Sequence, residues 1–350
     1  MTKSRAGTKP IRWPSFLARY ILGCLIVYWL IRTDSINLAV VGLIDFRIAV
    51  TALFFAGVQF ILAGWRVRAL LKSAGIHVGL WRCSAYNAVG VFFSIFLPGG
   101  ISGDVARAYY FWKCDTARDA SKAVLLGTLL TDRVIGSTVM ILIGLVACTF
   151  VAGTLGIGKF FLVAGWVAFI VGGLVYLRLC RADLRRWSIP GDGLLSSILS
   201  RATSLLSNMD LRSHSRATIA LSVALSFGIH LSMIVLIFLF SDLLKSGLSL
   251  WQVMGLAPFG LLVNMVPLSP GGLGIGEQGF QSLFSLAGGT QGGNTFLLAR
   301  IFFSSPALLG LAVLVQSFIS AHRFIRLNEL EATLEIAAPQ TDVDRGRADK

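Results

Sequence analysis

Six charged residues interrupt long apolar stretches of this 350-residue sequence, and their types and spacing suit the binding of a phosphate group. A charged side chain deep in a membrane helix is costly, so such residues usually face a cavity or a partner of opposite charge. An arginine guanidinium can hold two phosphate oxygens with parallel hydrogen bonds. The sequence predicts two cations, Arg133 and Arg300, that bind phosphate from two sides. The other four residues are Arg107 and three carboxylates that serve as counter-ions or protonatable gates, namely Asp104, Asp132 and Glu277.

Two Pro-Gly-Gly turns position these charges. The first turn lies in Phe96-Leu97-Pro98-Gly99-Gly100-Ile101-Ser102-Gly103-Asp104-Val105-Ala106-Arg107, and the second lies about 170 residues later in Pro270-Gly271-Gly272-Leu273-Gly274-Ile275-Gly276-Glu277. We expect Glu277 to pair with Arg300, and Asp104 to pair with Arg133. In one interpretation Arg107 also binds the phosphate. In the other, Asp104 caps a helix that begins after the glycines and forms an ion pair with Arg107, three residues further on.

The glycines after the second turn formally match the GxGxxG motif over residues 274–279. A dinucleotide-binding fold also needs a preceding strand and an acidic residue about 20 positions further on, which this sequence does not have. What remains is a local prediction, in which the backbone amides of Gly272 and Gly274 form a nest for a phosphate. The five cysteines are scattered without a CxxC pair, so neither a metal nor a cofactor is expected.

The composition is that of a membrane protein. Hydrophobic residues make up 55% of the chain, charged residues only 14%, and the mean hydropathy is +0.76. This balance excludes an ordinary soluble enzyme. The net charge of +14 comes from Lys and Arg clusters between apolar stretches, where they set topology and meet lipid head groups. We therefore expect the membrane, and not nucleic acid, as the partner of this positive charge.

The distribution of charge predicts the course of the chain through the membrane. A basic tail, 1–13, is assigned to the cytoplasm by the positive-inside rule. A second helix is predicted at about 46–65, and the arginines after it, beginning with Arg66, are assigned to a cytoplasmic loop. The apolar run before the first Pro-Gly-Gly turn is shorter than the roughly 20 residues that a spanning helix needs. The segment 83–113 is therefore predicted to enter and leave the membrane on the same side.

Two halves with the same order of elements follow from this pattern. The first half, 14–150, and the second, 151–321, each contain three transmembrane helices and one re-entrant Pro-Gly-Gly hairpin, in opposite orientations. The second half includes an Arg-rich cytoplasmic loop at 178–216, and a disordered cytoplasmic tail follows at 322–350. The predicted fold is an all-α polytopic membrane protein with an inverted repeat, which is typical of secondary transporters. The alternative is that both parts of each hairpin cross fully, giving eight or more spans.

These motifs resemble the lysylphosphatidylglycerol synthase transmembrane-region family, also called flippase-like. The resemblance covers nearly the whole chain and rests on Asn87, the FLPGG-x-x-GD-x-x-R run, Asp132-Arg133, and the segment from Pro267 to Gly274 followed by Glu277. It implies an integral membrane protein that handles a lipid, and it adds Asn87 to the expected binding residues. Members that synthesise aminoacylated lipid carry a large soluble C-terminal domain that this sequence lacks, so synthase activity is not expected.

The sequence thus predicts a flippase-like transporter with no catalytic residue. It would move an anionic phospholipid or a polyprenyl-phosphate-type lipid between leaflets of the plasma (inner) membrane, with both termini in the cytoplasm. Movement would be passive or coupled to an ion through Asp104, Glu277 or His230. The alternative is a membrane-embedded transferase, or an accessory subunit that presents lipid to a partner glycosyl- or aminoacyltransferase.

Overall fold

The computed structural model of the protein describes residues 13–33, 36–96, 102–114, 122–151, 153, 159–181, 214–266 and 268–321, and these residues are mostly helical. Four helices there are long and apolar enough to cross a membrane, and they are Phe46–Ser73, Val124–Val151, Arg216–Leu243 and Gly292–Ser317. Shorter apolar helices lie at Leu162–Val175 and Leu250–Asn264. The prediction of an all-α protein with several membrane spans is therefore confirmed at this level.

Eleven α-helices are found in these residues. In chain order they are α1 (Trp13–Arg32), α2 (Phe46–Ser73), α3 (Leu80–Phe96), α4 (Ser102–Lys113), α5 (Lys122–Val151), α6 (Lys159–Arg181), α7 (Arg216–Leu243), α8 (Leu250–Asn264), α9 (Ile275–Leu286), α10 (Gly292–Phe303) and α11 (Pro306–Ala321). A 3-10 helix, Leu38–Leu43, precedes α2, and a 3-10 turn, Pro270–Gly272, lies between α8 and α9.

Helices α2 and α7 form the centre of the structure. Each has 28 residues and begins at a capping side chain. The Asp45 carboxylate accepts a hydrogen bond from the backbone N–H of Ile48 at 2.8 Å, and the Ser215 hydroxyl accepts one from that of Thr218 at 3.1 Å. These caps satisfy amides that would otherwise lack a partner at the helix start. The contact between α2 and α7 is the most extensive helix–helix contact in the described chain.

Helices α3 and α4 form an antiparallel hairpin. The Ser102 hydroxyl donates to the Phe93 carbonyl at 3.4 Å at one end, and the rings of Tyr86 and Phe111 meet at 5.1 Å between centroids at the other. The two helices approach so closely that a Cβ atom on Gly103 would lie 2.3 Å from the carbonyl oxygen of Gly90. The sequence therefore requires glycine there, and the start of α4 lies directly against α3.

Helices α8 and α9 repeat this arrangement in the second half. Phe280 of α9 packs against Gly260 of α8, and Val263 of α8 packs against Gly279 of α9, which again gives an antiparallel pair. The Phe280 ring also stacks on Phe296 of α10, with 4.3 Å between centroids and 6° between planes. Both phenylalanines belong to the largest buried cluster of apolar side chains, which joins α2, α5, α7, α8, α9 and α10.

In each half of the chain, one helix packs against the hairpin of the other half. Helix α5 of the first half packs extensively on α8 of the second hairpin, and α11 of the second half packs on α3 of the first hairpin. The second Pro-Gly-Gly turn also contacts α3, so a Cβ atom on Gly271 would lie 3.3 Å from the Cα of Ile95. Each hairpin is therefore held by the other half of the chain, and the two meet at the middle of the protein.

One predicted helix boundary was wrong. Helix α2 continues to Ser73 and does not end near residue 65, so Arg66 and Arg68 lie in a helix. Its buried residues Val67, Leu70 and Leu71 continue the apolar face past the arginines. The last helix, predicted at about 294–321, matches the candidate span Gly292–Ser317. That span comprises α10 and α11 with a short break before Pro306, which has no N–H with which to continue the hydrogen-bond ladder.

Several predictions fall outside the described residues. They concern the basic tail at 1–12, the tip of the first turn at 97–101, Pro267, most of the Arg-rich loop and the C-terminal tail at 322–350.

Candidate functional site

A cavity of about 380 Å³ lies where the two hairpins and the central helices meet. The first half contributes residues of α2, α3, α4 and α5, and the second half contributes residues of α7, α8, α10 and α11 and the backbone of Gly271 in the Pro-Gly-Gly turn. The polar lining residues are Gln59, Arg66, Asn87, Ser94, Asp104, Arg107, Asp132, Asn264, Arg300 and Ser304, and apolar lining residues include Phe60, Ile95, Met233, Leu261, Phe296 and Phe303. The cavity thus has charged groups inside otherwise apolar walls.

The structure pairs the charges of each hairpin with the long helix that follows it. Arg133 on α5 donates from Nη1 to Asp104 Oδ2 in the first turn of α4. Arg300 on α10 donates from Nε to Glu277 Oε1 in the first turn of α9, at 2.5 Å. The two carboxylates occupy equivalent places at helix N-termini, where the helix dipole stabilises a negative charge. Each ion pair therefore ties the second helix of a hairpin to the helix that follows it.

The donors of Arg300 are directed mainly to the second turn. Nη1 donates to the Gly271 carbonyl at 2.6 Å, and Nη2 donates to the Gly272 carbonyl at 3.1 Å and to Asn264 Oδ1 at 2.8 Å. The guanidinium also lies 4.8 Å above the ring of Phe296, in cation–π geometry. These contacts hold the turn in place and leave Arg300 with little capacity for an outside ligand.

The second turn needs its glycines. Gly272 has φ of +71°, and a Cβ atom there would lie 2.3 Å from the carbonyl oxygen of Asn264. The backbone N–H of Gly272 donates to the Ser269 carbonyl at 3.1 Å, and that of Gly274 donates to Glu277 Oε2 at 2.7 Å. Both amides predicted to form an anion nest therefore make internal hydrogen bonds, and neither glycine lines the cavity.

Asp132 organises the charges of the first half. Its Oδ1 atom accepts a hydrogen bond from Arg66 Nε at 2.7 Å, and its Oδ2 atom lies 3.3 Å from Arg107 Nη1. Arg66 also donates from Nη1 to the Ser226 hydroxyl of α7, at 2.8 Å. The side chain of Asp132 is only 4% exposed and that of Arg66 only 11%. This is a buried, well-formed ion pair that links α2, α5 and α7.

Arg107 has the longest ion-pair distances of the four arginines at the site. Its two carboxylate neighbours each serve another cation, since Asp132 is held by Arg66 and Asp104 by Arg133. Arg107 reaches Asp104 at 3.0 Å and Asp132 at 3.3 Å, and its contacts with Asn87 Oδ1 and the Leu129 carbonyl are both 3.4 Å. Its Nε atom is buried without a hydrogen-bond partner. A guanidinium with long contacts and an unsatisfied donor is open to a better acceptor.

The charges of the site do not cancel. Among the described residues that line the cavity or pair with its lining, four are arginines and three are carboxylates, which gives a net charge of +1. The arginines are Arg66, Arg107, Arg133 and Arg300, and the carboxylates are Asp104, Asp132 and Glu277. Because every carboxylate is already bonded to another arginine, the surplus positive charge belongs to Arg107.

Three polar residues of this cluster were missed by the sequence interpretation. They are Arg66, Ser226 and Asn264. Arg66 was assigned to a loop because arginines usually mark the end of a span, although the apolar spacing of Val67, Leu70 and Leu71 indicates that the helix continues. Ser226 and Asn264 carry no comparable signal, because single polar residues in apolar helices are common.

His230 lies on α7 one helical turn after Ser226. Its Nε2 atom is 2.9 Å from the Gly136 carbonyl, while its Nδ1 atom is buried without a partner. It does not line the cavity. No group of three or more His, Cys, Asp or Glu residues that could hold a metal ion occurs in the ranges that the structure describes.

Comparison with known proteins identifies the chain over most of its length. A family model described as the lysylphosphatidylglycerol synthase TM region matches residues 16–310. A comparison with curated proteins gave no match. The matched range contains both hairpins, all seven charged residues of the site and the cavity between the halves. The resemblance seen in the sequence motifs is therefore confirmed for nearly the whole chain.

Proposed function

This chain belongs to the lysylphosphatidylglycerol synthase transmembrane-region family, and from that premise we propose that it binds the head group of an anionic lipid in the cavity and moves that lipid between the leaflets of its membrane. The family and the apolar helices indicate a multi-pass membrane protein, and the family supports a lipid-related role. The proposal adds the binding site, the charge of the lipid and the transport.

The observation that carries the proposal is the surplus positive charge of Arg107. A buried charge that its partners neutralise only in part is costly, and the cost is greater in a membrane, where water is scarce. The side chain of Arg107 is only 12% exposed, so water compensates it poorly. A lipid phosphate that enters the cavity would accept hydrogen bonds from this guanidinium and would balance the charge of the site. Asn87 and the Arg66–Asp132 pair would keep Arg107 directed into the cavity.

The contacts favour a different division of roles from the one predicted from sequence. Arg300 is bound by Glu277, Asn264 and the carbonyls of the second turn, so we assign it to holding that turn. Arg133 does not line the cavity, but its side chain is 35% exposed. We assign Arg133 to a second phosphate contact at the edge of the cavity. Asp104 and Glu277 then act as counter-ions whose bonds fix the hairpin tips.

An inverted repeat would allow the cavity to open to either side in turn. The proposal is supported by the equal order and similar lengths of α2, α3 and α4 with α7, α8 and α9, and by the exchanged packing of the hairpins. The hairpin helices are short, since 17 residues of α3 span about 25 Å and 12 residues of α4 about 18 Å, against a hydrocarbon core of roughly 30 Å. We therefore infer that both hairpins are re-entrant. Transporters with such repeats bind their substrate near the membrane midplane.

A reconstitution experiment tests the proposal. The purified full-length chain is placed in liposomes that contain phosphatidylglycerol with a fluorescent label, and a membrane-impermeant quencher reports how fast label leaves the inner leaflet. We expect faster exchange than in liposomes without protein. Exchange equal to that of empty liposomes would refute the transport function. A new lipid product, detected by mass spectrometry in the same samples after addition of a candidate donor, would instead favour the membrane-embedded transferase.

A further inference from the structure

A line of polar side chains runs along α7, a helix in which most residues are apolar. It begins at the capping Ser215 and continues through Thr218, Ser222, Ser226 and His230. Residues three or four positions apart lie on the same face of a helix, so these five side chains share one face, which we call the α7 polar line. At about 1.5 Å per residue it extends roughly 22 Å, from the start of α7 to its middle.

The inner part of the α7 polar line is buried between helices. Ser222 and Ser226 have no exposed surface, and His230 is only 9% exposed. The Ser226 hydroxyl donates to the Ser222 carbonyl at 2.7 Å and accepts from Arg66 Nη1 at 2.8 Å. In contrast, the Ser222 hydroxyl and His230 Nδ1 are buried without a hydrogen-bond partner. Two unsatisfied polar groups are costly in the interior of a membrane protein, so packing alone does not account for them.

The hydrogen bond of His230 determines which ring nitrogen can take up a proton. Nε2 lies 2.9 Å from the Gly136 carbonyl of α5. A carbonyl oxygen only accepts hydrogen bonds, so Nε2 carries a hydrogen, and in the neutral ring Nδ1 presents a lone pair. A proton bound at Nδ1 would leave the bond to Gly136 intact, because both nitrogens of the charged ring are donors. Histidine is also the side chain that most readily changes its charge between roughly pH 5 and pH 8.

Arg66 connects His230 to the cavity. A Cβ atom on Gly136 would lie 2.8 Å from Arg66 Nη1, so the guanidinium lies against the residue to which His230 is bonded. Arg66 also lines the cavity and forms its ion pair with Asp132, which lies one turn before Gly136 on α5. His230 is therefore outside the cavity but within reach of its charges.

The other charged groups on the helices around His230 are directed elsewhere. In the described chain the helices that pack most extensively on α7 are α2, α5, α8 and α10. Helix α8 carries no charged residue. On α5 and α10 the other described charged side chains are bonded to carboxylates, and the remaining charged residues of α2 and α7 are exposed. The first group comprises Arg133 and Arg300, and the second comprises Arg47, Arg68, Lys72, Arg216 and Asp242. Arg66 and Asp132 therefore set the electrostatic environment of His230.

The anionic ligand and a proton on His230 should favour each other's binding. Without ligand, the arginines and carboxylates of the site leave a net charge of +1. A further positive charge beside Arg66 is then unfavourable. A negative head group at Arg107 cancels the surplus, so protonation of His230 becomes easier once the ligand is bound. By thermodynamic linkage the proton strengthens ligand binding by the same factor.

We propose that His230 takes up a proton at Nδ1 when the anionic ligand binds, and that the protein moves the lipid and the proton across the membrane together. The inference rests on the proposed function, to which it adds the coupling ion. The proton comes from water on the side to which the cavity is open and leaves Nδ1 when the site opens to the other side, so only an N–H bond forms and breaks. The hydroxyls of the α7 polar line both donate and accept, so they provide a route for the proton between His230 and the start of α7. Asp104 and Glu277 are bonded to arginines and are assigned no proton.

Proton uptake on ligand binding tests this coupling without any transport. Short-chain phosphatidylglycerol is added to the full-length chain in weakly buffered neutral detergent at about pH 6.5, and a pH-sensitive dye reports the protons taken up. We expect the wild type to take up a measurable fraction of one proton per chain and His230→Gln to take up none. The matched control is His77→Gln, which should behave as the wild type because His77 is exposed and lies outside the helices. No uptake by the wild type, or the same uptake by folded His230→Gln, would overturn the proposal.

The affinity of the wild type at two pH values gives a test that does not depend on the folding of His230→Gln. Short-chain phosphatidylglycerol keeps its negative charge at about pH 5.5 and at about pH 8, whereas His230 should be protonated more at the lower value. We therefore expect the concentration that raises the thermal unfolding midpoint to be about tenfold lower at the lower pH. Short-chain phosphatidylcholine, which has no net charge, should show no such difference. Equal affinity for phosphatidylglycerol at both pH values would contradict the coupling.

A pH gradient across liposomes separates the co-transport from the proposed function. The liposomes contain a trace of labelled phosphatidylglycerol, and their exterior is made more acidic than their interior. Because the lipid and the proton together carry no net charge, the label should accumulate in the inner leaflet toward a ratio of about tenfold for each pH unit. Accumulation should be faster than in protein-free liposomes, and a protonophore should abolish it. Exchange that the gradient does not bias would refute the co-transport and leave the transport function in place. Absence of any exchange would refute the proposed function, and with it the co-transport.

Discussion

At the scale of single residues, the arginines of the site have two different roles that their contacts distinguish. Arg66 and Arg300 have short bonds to carboxylates that are almost fully buried. Arg107 shares its carboxylates with other arginines at longer distances. We infer that Arg66 and Arg300 stabilise the fold and that Arg107 is available to bind the ligand. Replacing Arg66 or Arg300 should therefore lower stability, whereas replacing Arg107 should reduce lipid transport.

Replacing Arg300 should destabilise the protein, and replacing Arg107 should not. The variant Arg300→Gln leaves the Glu277 carboxylate, whose side chain is 1% exposed, without its cation, and such a change costs about 3–5 kcal/mol. The variant Arg107→Gln removes a surplus charge, so the unfolding midpoint in detergent should stay the same or rise. The double variant Arg300→Gln with Glu277→Gln should recover part of the loss. Equal destabilisation by the two single variants would contradict the assigned roles.

At this scale the sequence predicts that the buried charges form ion pairs, but it does not predict which residues surround each charge. Acidic residues after Pro-Gly-Gly and arginines inside apolar stretches point to ion pairs, because neither charge is tolerated alone in a membrane. The sequence does not reveal which arginine is left over. That depends on Arg66 and Asp132, which lie 66 positions apart and meet only when α2 packs on α5.

At the scale of elements, the second turn is fixed from both sides. The Arg300 guanidinium binds its carbonyls, and Asn264 at the end of α8 packs closely on Gly272. The two hairpins could be predicted from the turns and the short apolar runs. The continuation of α2 to Ser73 was missed, because arginines such as Arg66 and Arg68 usually mark the end of a membrane span.

Substitution of Gly272 tests how tightly this turn is packed. Gly272 and Gly288 both have positive φ values, +71° and +76°, but a Cβ atom on Gly288 would meet nothing within 4 Å. Gly288→Ala should therefore cost only the backbone strain of about 1–2 kcal/mol. Gly272→Ala adds a clash with Asn264, so it should lower the unfolding midpoint clearly more. Equal effects of the two alanines, measured by thermal unfolding in detergent, would show that the close approach at Gly272 is not important.

At the scale of the whole molecule, the described charges of the site are distributed unequally between the two predicted halves of the chain. Both halves tie a hairpin tip to the next long helix by one ion pair, Asp104–Arg133 in the first and Glu277–Arg300 in the second. Among the described residues that form the site, the first half also contributes Arg66, Arg107 and Asp132. We infer that ligand recognition belongs to the first half. The second half would then provide a matching wall and the second gate.

Labelling of single cysteines tests the inverted orientation of the halves. Lys72 near the end of α2 and Asp242 near the end of α7 are both exposed and occupy equivalent positions of two 28-residue helices. In a background without the five native cysteines, Lys72→Cys should react with an impermeant reagent from the cytoplasmic side only, and Asp242→Cys from the outside only. Reaction of both positions from the same side would contradict the inverted repeat.

The central claim is that the surplus charge of Arg107 binds the lipid that the protein moves, and one comparison in liposomes tests it most directly. Arg107→Gln is measured beside Arg68→Gln, which removes an arginine from the exposed surface of α2 outside the cavity. We predict that Arg107→Gln slows the exchange of labelled phosphatidylglycerol about tenfold or more, while Arg68→Gln exchanges it at the wild-type rate. Exchange by folded Arg107→Gln at the wild-type rate would contradict the claim.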